Sequence, residues 1–198
     1  MRCEPDEERV AREKMSNGGA MNTSKTSTLE RAGSIAAREK EEYEAGSDRP
    51  LGSFLTIMGV YLAGVGALGA VLRRRGQVLP ERVSATDLAL LTVATHKLSR
   101  LLAKDPVTSP LRAPFTRFAG TSGPAELSEK VRGTGLRRGV GALVTCPFCL
   151  AVWVATAFCF SLVLAPRATR FAASILTAVA GADVLHFAYA ALEQKGQP

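Results

Sequence analysis

Charged residues fall along this chain in blocks, and between the blocks lie stretches that carry none. Leu51 to Leu72, "LGSFLTIMGVYLAGVGALGAVL", holds twenty-two residues without a charge. At 1.5 Å per residue it can cross a hydrocarbon core of about 30 Å, so it predicts a membrane helix over 51–72. Arg73, Arg74 and Arg75 close it. Its Gly59, Gly64, Gly66 and Gly69 either let another helix approach closely or reflect the general glycine content of membrane helices. Val140 to Ala165 is again uncharged, and Phe171 to Leu192 carries only Asp183 besides His186. These predict two further spans, the second over about 171–192, joined by the short turn "PRATR".

The stretch "SATDLALLTVATHKLSRLLAKDP" is more mixed. Ser84, Thr86 and Asp87 supply helix-start chemistry, and Asp105 before Pro106 supplies a stop, so a helix over about 86–104 is predicted. His96 and Arg100 are four apart and share one face, while Leu91, Ala94, Leu98 and Leu101 occupy another. Such a helix either spans with its basic end at the headgroups or lies partly in the interface. Residues 105–138 hold four prolines and, with Lys104, seven Lys/Arg. They predict a basic loop, with "PLRAPF" extended because proline disfavours helix in the residue before it.

Residues 1–48 have too few apolar side chains to offset ordering entropy and predict a disordered charged tail. Within it "TLERAGSIAAREKEEYEAG" could form a polar helix through pairs such as Arg38 with Glu42. The expected fold class is therefore all-α: a multi-pass transmembrane protein of about four helices behind a disordered N-terminal tail.

Composition sharpens the division. The chain has 198 residues, 46% of them hydrophobic, and a mean hydropathy of only +0.09. The first fifty residues carry nine Lys/Arg against eleven Asp/Glu, and the remainder carries sixteen against seven. The positive charge therefore belongs to the apolar part, as at the cytoplasmic flanks of membrane spans. With four spans and the N-terminus inside, twelve Lys/Arg fall on the inner side and six on the outer. If 86–104 does not cross, the N-terminus moves outside, yet the loop 105–138 is cytoplasmic in both arrangements. The expected location is the cell membrane. No aromatic or groove-reading motif supports nucleic-acid binding, so none is expected. No removable signal peptide is expected either, and Met15 and Met21 are alternative starts.

The candidate chemistry begins with Cys146 and Cys149. Proline is tolerated at the first helical position, so Thr145 or Cys146 is expected to cap a helix over about 147–165 that starts at Pro147. "GLRRGVGALV" would then form a short helix before it; the alternative is one long helix kinked at Pro147. A helix N-terminus favours thiolate, so the pair could serve redox exchange or metal binding. Equally, it could be a packed helix corner. Zinc needs about four ligands, and beyond this pair only Cys159, His96, His186 and Cys3 remain, none at paired spacing. No cofactor is implied. Asp183 and His186, three apart on one face, suit a proton relay or ion site, or else a buried hydrogen bond to each other or to His96, Arg100 or threonines nearby. Arg112, Arg117, Arg132, Arg137 and Arg138 could bind anionic headgroups at about 1 kcal/mol each, or only set topology. Trp153 is placed to act as an interfacial anchor.

"THKLSRLLAKDPVTSPLRAPF" followed by "GTGLRRGVGALVTCPFCLAVWVA" resembles a bacterial membrane family called domain of unknown function 1360, which includes a sporulation-associated protein. The resemblance covers about residues 84–192. It rests on Arg100, Leu101, Leu102 and Asp105, on Arg112, Pro114 and Phe115, and on Cys146, Cys149 and Trp153, in that order. Relatives carry a small residue and a glycine after the second cysteine, where this chain has Leu150 and Ala151. The resemblance implies that 86–104 behaves as a membrane helix, and it implies no activity. The expected function is that of a non-enzymatic integral membrane protein, sporulation- or envelope-related, whose basic loop contacts lipid, a protein partner or a second copy. The alternatives are a thiol-dependent oxidoreductase or metal site using Cys146 and Cys149, and ion or proton transport through Asp183 and His186.

Overall fold

The computed structural model describes residues 31, 33–35, 37–39, 41–43, 51–123 and 125–196. The chain divides between Leu51 and Gly52 into two units. In the first, the described residues from 31 to 43 are helical and exposed. There the described residues form the polar helix that the sequence allows within the charged tail; the expectation of disorder over the rest of 1–48 lies outside the described residues.

Helix α1 is Leu51–Arg74. It takes Arg73 and Arg74 into its last turn, where cations meet the negative end of the helix dipole. Gly76, at φ 65°, then reverses the chain. Gln77 N–H donates to the Leu72 carbonyl at 3.0 Å and Gly76 N–H to that of Arg73 at 3.1 Å, which closes the last turn of the helix. Helix α2 is Ala85–Lys104, and its N-cap Ser84 accepts from Asp87 N–H at 3.0 Å. A 3-10 turn, Pro106–Thr108, leads to α3, Ser109–Arg112.

The next segment corrects the expectation of an all-α fold. Within the predicted basic loop 105–138 lies an antiparallel hairpin, β1 (Thr116–Gly123) with β2 (Glu126–Val131), paired from Thr116 opposite Val131 to Gly123 opposite Glu126. Two register shifts, near Ala119 and Ser122, interrupt its alternation. Glycines and these bulges erase the period-2 pattern that would have betrayed the strands.

Then follow α4 (Gly135–Thr145), α5 (Pro147–Leu164) and α6 (Pro166–Gly196). Both later helices begin at a proline, whose missing N–H would be unpaired there in any case. "PRATR" is therefore not a turn but the first turn of α6; only Ala165, with φ −147°, stands between the two helices.

Helix α2 lies between α5 and α6. Leu91, Ala94 and Ala173 form the buried centre, with Phe158, Leu162 and Leu176 packed around them. Ala94 and Ala173 are 0% exposed, and their small side chains let the α2 and α6 backbones come close. Asp87 meets Arg170 and Lys97 meets Asp183, so α2 and α6 run side by side in one direction. Against this bundle α1 makes lighter contacts. Tyr61 stands edge-on to Trp153 at 5.1 Å, and its hydroxyl lies 2.8 Å from Thr156 Oγ1. A Cβ on Gly59, Gly64, Gly66 or Gly69 would meet nothing within 4 Å, so no other part of the described chain uses that stripe.

Close approach occurs instead on α4. A Cβ on Gly139 would stand 2.9 Å from Ser53 Cβ of α1, and one on Gly141 would stand 2.5 Å from Val131 Cγ1 and 3.0 Å from the Phe115 carbonyl oxygen. Among the described residues three helices, α1, α5 and α6, are long and apolar enough to cross a membrane; α2 is not among them, because its second half is basic. Their most apolar stretches are 6%, 11% and 0% buried within the chain. Apolar surface left open on that scale calls for a covering medium or partner.

Candidate functional site

Two polar centres organise the bundle. The first is built on Arg112, which is 1% exposed. Its Nε and Nη2 form a fork onto the Glu129 carboxylate of β2 at 2.7 and 3.3 Å. Nη1 donates to the Leu102 carbonyl at 2.8 Å and to Thr108 Oγ1 at 2.7 Å, while Nη2 also donates to the Asp105 carbonyl at 3.0 Å. Every N–H of the guanidinium is thereby engaged. The planar fork suits this task, since it ties a carboxylate on the hairpin to the last carbonyls of α2. Asp105 contributes a second cap: its Oδ1 accepts from Val107 N–H at 2.8 Å and opens the 3-10 turn.

The residues after Arg112 complete a corner. The Pro114 carbonyl accepts from Arg137 Nη2 at 2.6 Å and from Arg132 Nε at 3.3 Å, and the Ala113 carbonyl accepts from Arg132 Nη2 at 2.7 Å. Phe115 N–H donates to the Arg112 carbonyl, and the Phe115 carbonyl accepts from Arg132 N–H. Arg112 is thus withdrawn from the headgroup role expected of it, because burial and its fork to Glu129 leave no N–H to offer. Arg132 and Arg137 hold the corner's carbonyls. Arg117 is exposed on β1.

The second centre is a groove of about 740 Å³ between the C-terminal halves of α2 and α6, overhung by the hairpin tip at Ala125 and Glu126. His96, Lys97, Arg100 and Lys104 line it from α2, with Asp105 beyond them. Asp183, Val184 and Phe187 line it from α6. Lys97 Nζ donates to Asp183 Oδ2 at 2.5 Å, with the two side chains 17% and 42% exposed. Arg100 Nη2 pairs with Glu126 Oε1. The partner of Asp183 is therefore Lys97 rather than His186, His96 or Arg100. Lys97 stands one residue after His96 and three before Arg100, and the register of α2 against α6 brings it, rather than either of them, to Asp183. His186 is exposed on α6 outside the groove lining.

At the opposite end of α2, Arg170 clamps Asp87 with Nε to Oδ1 at 2.7 Å and Nη2 to Oδ2 at 2.8 Å. The α2–α6 seam thus carries two ion pairs, neither of them announced by local spacing. Lys97, Glu126, Glu129 and Arg170 are the participants that sequence reasoning passed over. Only the mismatch of an acidic residue in each apolar run hinted at partners.

Of the two caps the sequence allowed, Thr145 and Cys146, the structure uses Cys146, and a separate helix begins at Pro147. Cys146 is extended, at φ −103° and ψ 106°, between α4 and α5, and its Sγ accepts Cys149 N–H at 3.3 Å. A thiol here does the work of a Ser or Asp cap. Both cysteines and Cys159 are free, and Cys149 is exposed. Among the described residues no three His, Cys, Asp or Glu side chains gather as a metal site, and neither Cys146 nor Cys149 lines the groove that His96 lines. Cys3 lies outside the described residues. Trp153 is half-buried against Tyr61.

Residues 90–189 match the family model described as protein of unknown function DUF1360. Over 102 residues the chain is 30% identical to the sporulation protein YjcA of Bacillus subtilis strain 168, a stretch that covers 50% of this chain and 86% of that protein. No solved structure matches the chain. The matched region takes in most of α2, the Arg112 corner, the hairpin, both cysteines and α5, and leaves α1 outside. The chain belongs to the DUF1360 family.

Proposed function

We propose that this chain is a multi-pass membrane protein with a sporulation- or envelope-related role, acting by contact with lipid or a partner rather than by catalysis. In this reading α1, α2, α5 and α6 all cross the bilayer, and the Arg112 corner, the hairpin and α4 stand on the cytoplasmic side. The observation that carries it is the pairing of Lys97 with Asp183 across the α2–α6 seam. Lys and Asp are expensive at membrane depth unless they answer one another, and their match allows a helix too basic to insert alone to cross beside α6. At twenty residues α2 is long enough, with a rise of about 30 Å. The excess of Lys/Arg on the hairpin side supports its cytoplasmic placement, and the sporulation protein in the same family supports the setting.

Single cysteines at Val78 and Ala119, in a chain whose native cysteines are replaced by serine or alanine, test this. A membrane-impermeant maleimide is expected to label Val78→Cys in intact spheroplasts and Ala119→Cys only after permeabilisation. Labelling of both from the same side would refute the four-span arrangement.

A second reading, thiol exchange at Cys146 and Cys149, is favoured by the exposure of Cys149 beside the Cys146 sulfur. Trapping of a mixed disulfide on Cys149 in cells would support it. A Cys146→Ser/Cys149→Ser chain that complements a deletion fully would end it.

A further inference from the structure

We propose that the groove between α2 and α6 binds one anionic phospholipid, with its phosphate held by Arg100 and Lys104 and one acyl chain laid along Val184 and Phe187. The proposal rests on the membrane reading above. His96, Arg100 and Lys104 follow one another at four-residue intervals on the groove face of α2, a basic ladder with steps of about 6 Å. Lys97, between its rungs, is neutralised by Asp183. Arg100 uses Nη2 on Glu126 and keeps Nε and Nη1 without partners among the described residues. The Lys104 ammonium likewise has no partner among them, although it is only partly exposed. The Lys104 ammonium and the two unused nitrogens of Arg100, one turn apart, thus face a groove in which Asp183 pairs with Lys97, Glu126 pairs with Arg100, and Asp105 accepts the Val107 N–H of its own turn.

The opposite wall has a different chemistry. Ala180 and Gly181 leave room beside the seam, and Val184 and Phe187, 66% and 59% exposed, continue outward along α6. An inorganic or soluble anion has no use for that apolar wall. A phospholipid uses both, since its phosphate meets Lys104 and the unused donors of Arg100 at the end of α2 while its chain follows the uncovered face of α6. A basic pocket between membrane helices on the cytoplasmic side is the kind of place that selects anionic headgroups. A zwitterionic headgroup would bring its own cation against Lys104 and Arg100. The cavity volume, about 740 Å³, lies in the range of sites that enclose a sizeable ligand rather than a water cluster.

The test uses the full chain, purified in detergent, stripped of lipid and titrated with dioleoylphosphatidylglycerol or dioleoylphosphatidylcholine under native mass spectrometry. One phosphatidylglycerol is expected to be retained in preference to phosphatidylcholine. Arg100→Gln with Lys104→Gln should weaken phosphatidylglycerol roughly thirty-fold and leave phosphatidylcholine unchanged. Arg100→Lys with Lys104→Arg should restore it, which separates charge recognition from loss of fold. Arg73→Gln with Arg74→Gln, at the far end of α1, should retain wild-type affinity.

Equal loss in that control, equal binding of the two lipids, or complete displacement by millimolar glycerol phosphate would overturn the site. Release of the protein from membranes by alkaline carbonate would instead overturn the membrane reading beneath it. Carbonate-resistant protein without lipid preference would overturn the site alone.

Discussion

Removing the Arg112 side chain should loosen the hairpin from α2 and unfold the chain at a markedly lower temperature. Arg112 is 1% exposed and Glu129 7%, so Arg112→Ala would strand a carboxylate with little water to solvate it. The same change would take the donor from the Leu102 and Asp105 carbonyls and from the Thr108 hydroxyl. Breaking a buried pair by deleting one partner costs about 3–5 kcal/mol. In a chain of this length each kcal/mol lowers the midpoint by about 2–4 °C, so a loss of about 6–20 °C is expected. Arg112→Lys should fall between, because an ammonium offers three donors without the planar fork. Arg112→Met with Glu129→Leu should melt well above Arg112→Met alone, since the charge that made the single change costly is gone.

The assay is thermal unfolding of the purified chain in detergent, read by fluorescence of Trp153, the one tryptophan. Hydrogen exchange of β1 and β2 amides is followed in parallel, and protection there should fall first. A midpoint within about 2 °C of wild type for Arg112→Ala, or no recovery in the double variant, would refute the reasoning.

Gly141→Ala should lower stability by about 1–3 kcal/mol, because its Cβ would stand 2.5 Å from Val131 Cγ1. Gly64→Ala, where nothing lies within 4 Å, should be neutral or mildly stabilising in the same melt; the reverse order would discredit the packing of α4. Lys97→Met or Asp183→Leu alone should reduce the yield of folded protein in membranes, and the double substitution should restore it, as gel filtration in detergent can show. Additive losses would mean that the pair does not join α2 to α6. Cys146→Ser should retain the α5 cap and the wild-type midpoint, whereas Cys146→Ala should lose about 0.5–2 kcal/mol. Equal midpoints for the serine and alanine variants would remove the sulfur from the cap.

Local patterning reached far in this chain wherever a structural choice depends on neighbours in sequence. Uncharged runs located α1, α5 and α6 because length and apolarity are properties of a segment alone. Pro147 pointed to the start of α5 and narrowed its cap to Thr145 or Cys146, because the ring's demands act within one turn, and the structure chose Cys146. The same rule, applied to Pro166, would have recovered the first turn of α6. The motif residues Asp105, Arg112, Pro114 and Phe115 stood out in sequence, yet their role as a hydrogen-bonded corner depended on Glu129 and Arg137, which lie on other elements.

What patterning missed has a common physical origin. Strand pairing in 116–131 draws its hydrogen bonds from a partner strand, and two bulges remove the alternation that would reveal it. The close approaches fell to Gly139 and Gly141 rather than to the glycine-rich face of α1, because spacing shows where a helix could approach and not which one does. Asp183 visibly needed a partner, since a lone carboxylate among apolar residues is costly. That the partner is Lys97 follows from the register of two helices 86 residues apart in the chain, a relation that side-chain packing at Ala94 and Ala173 decides and no local pattern records.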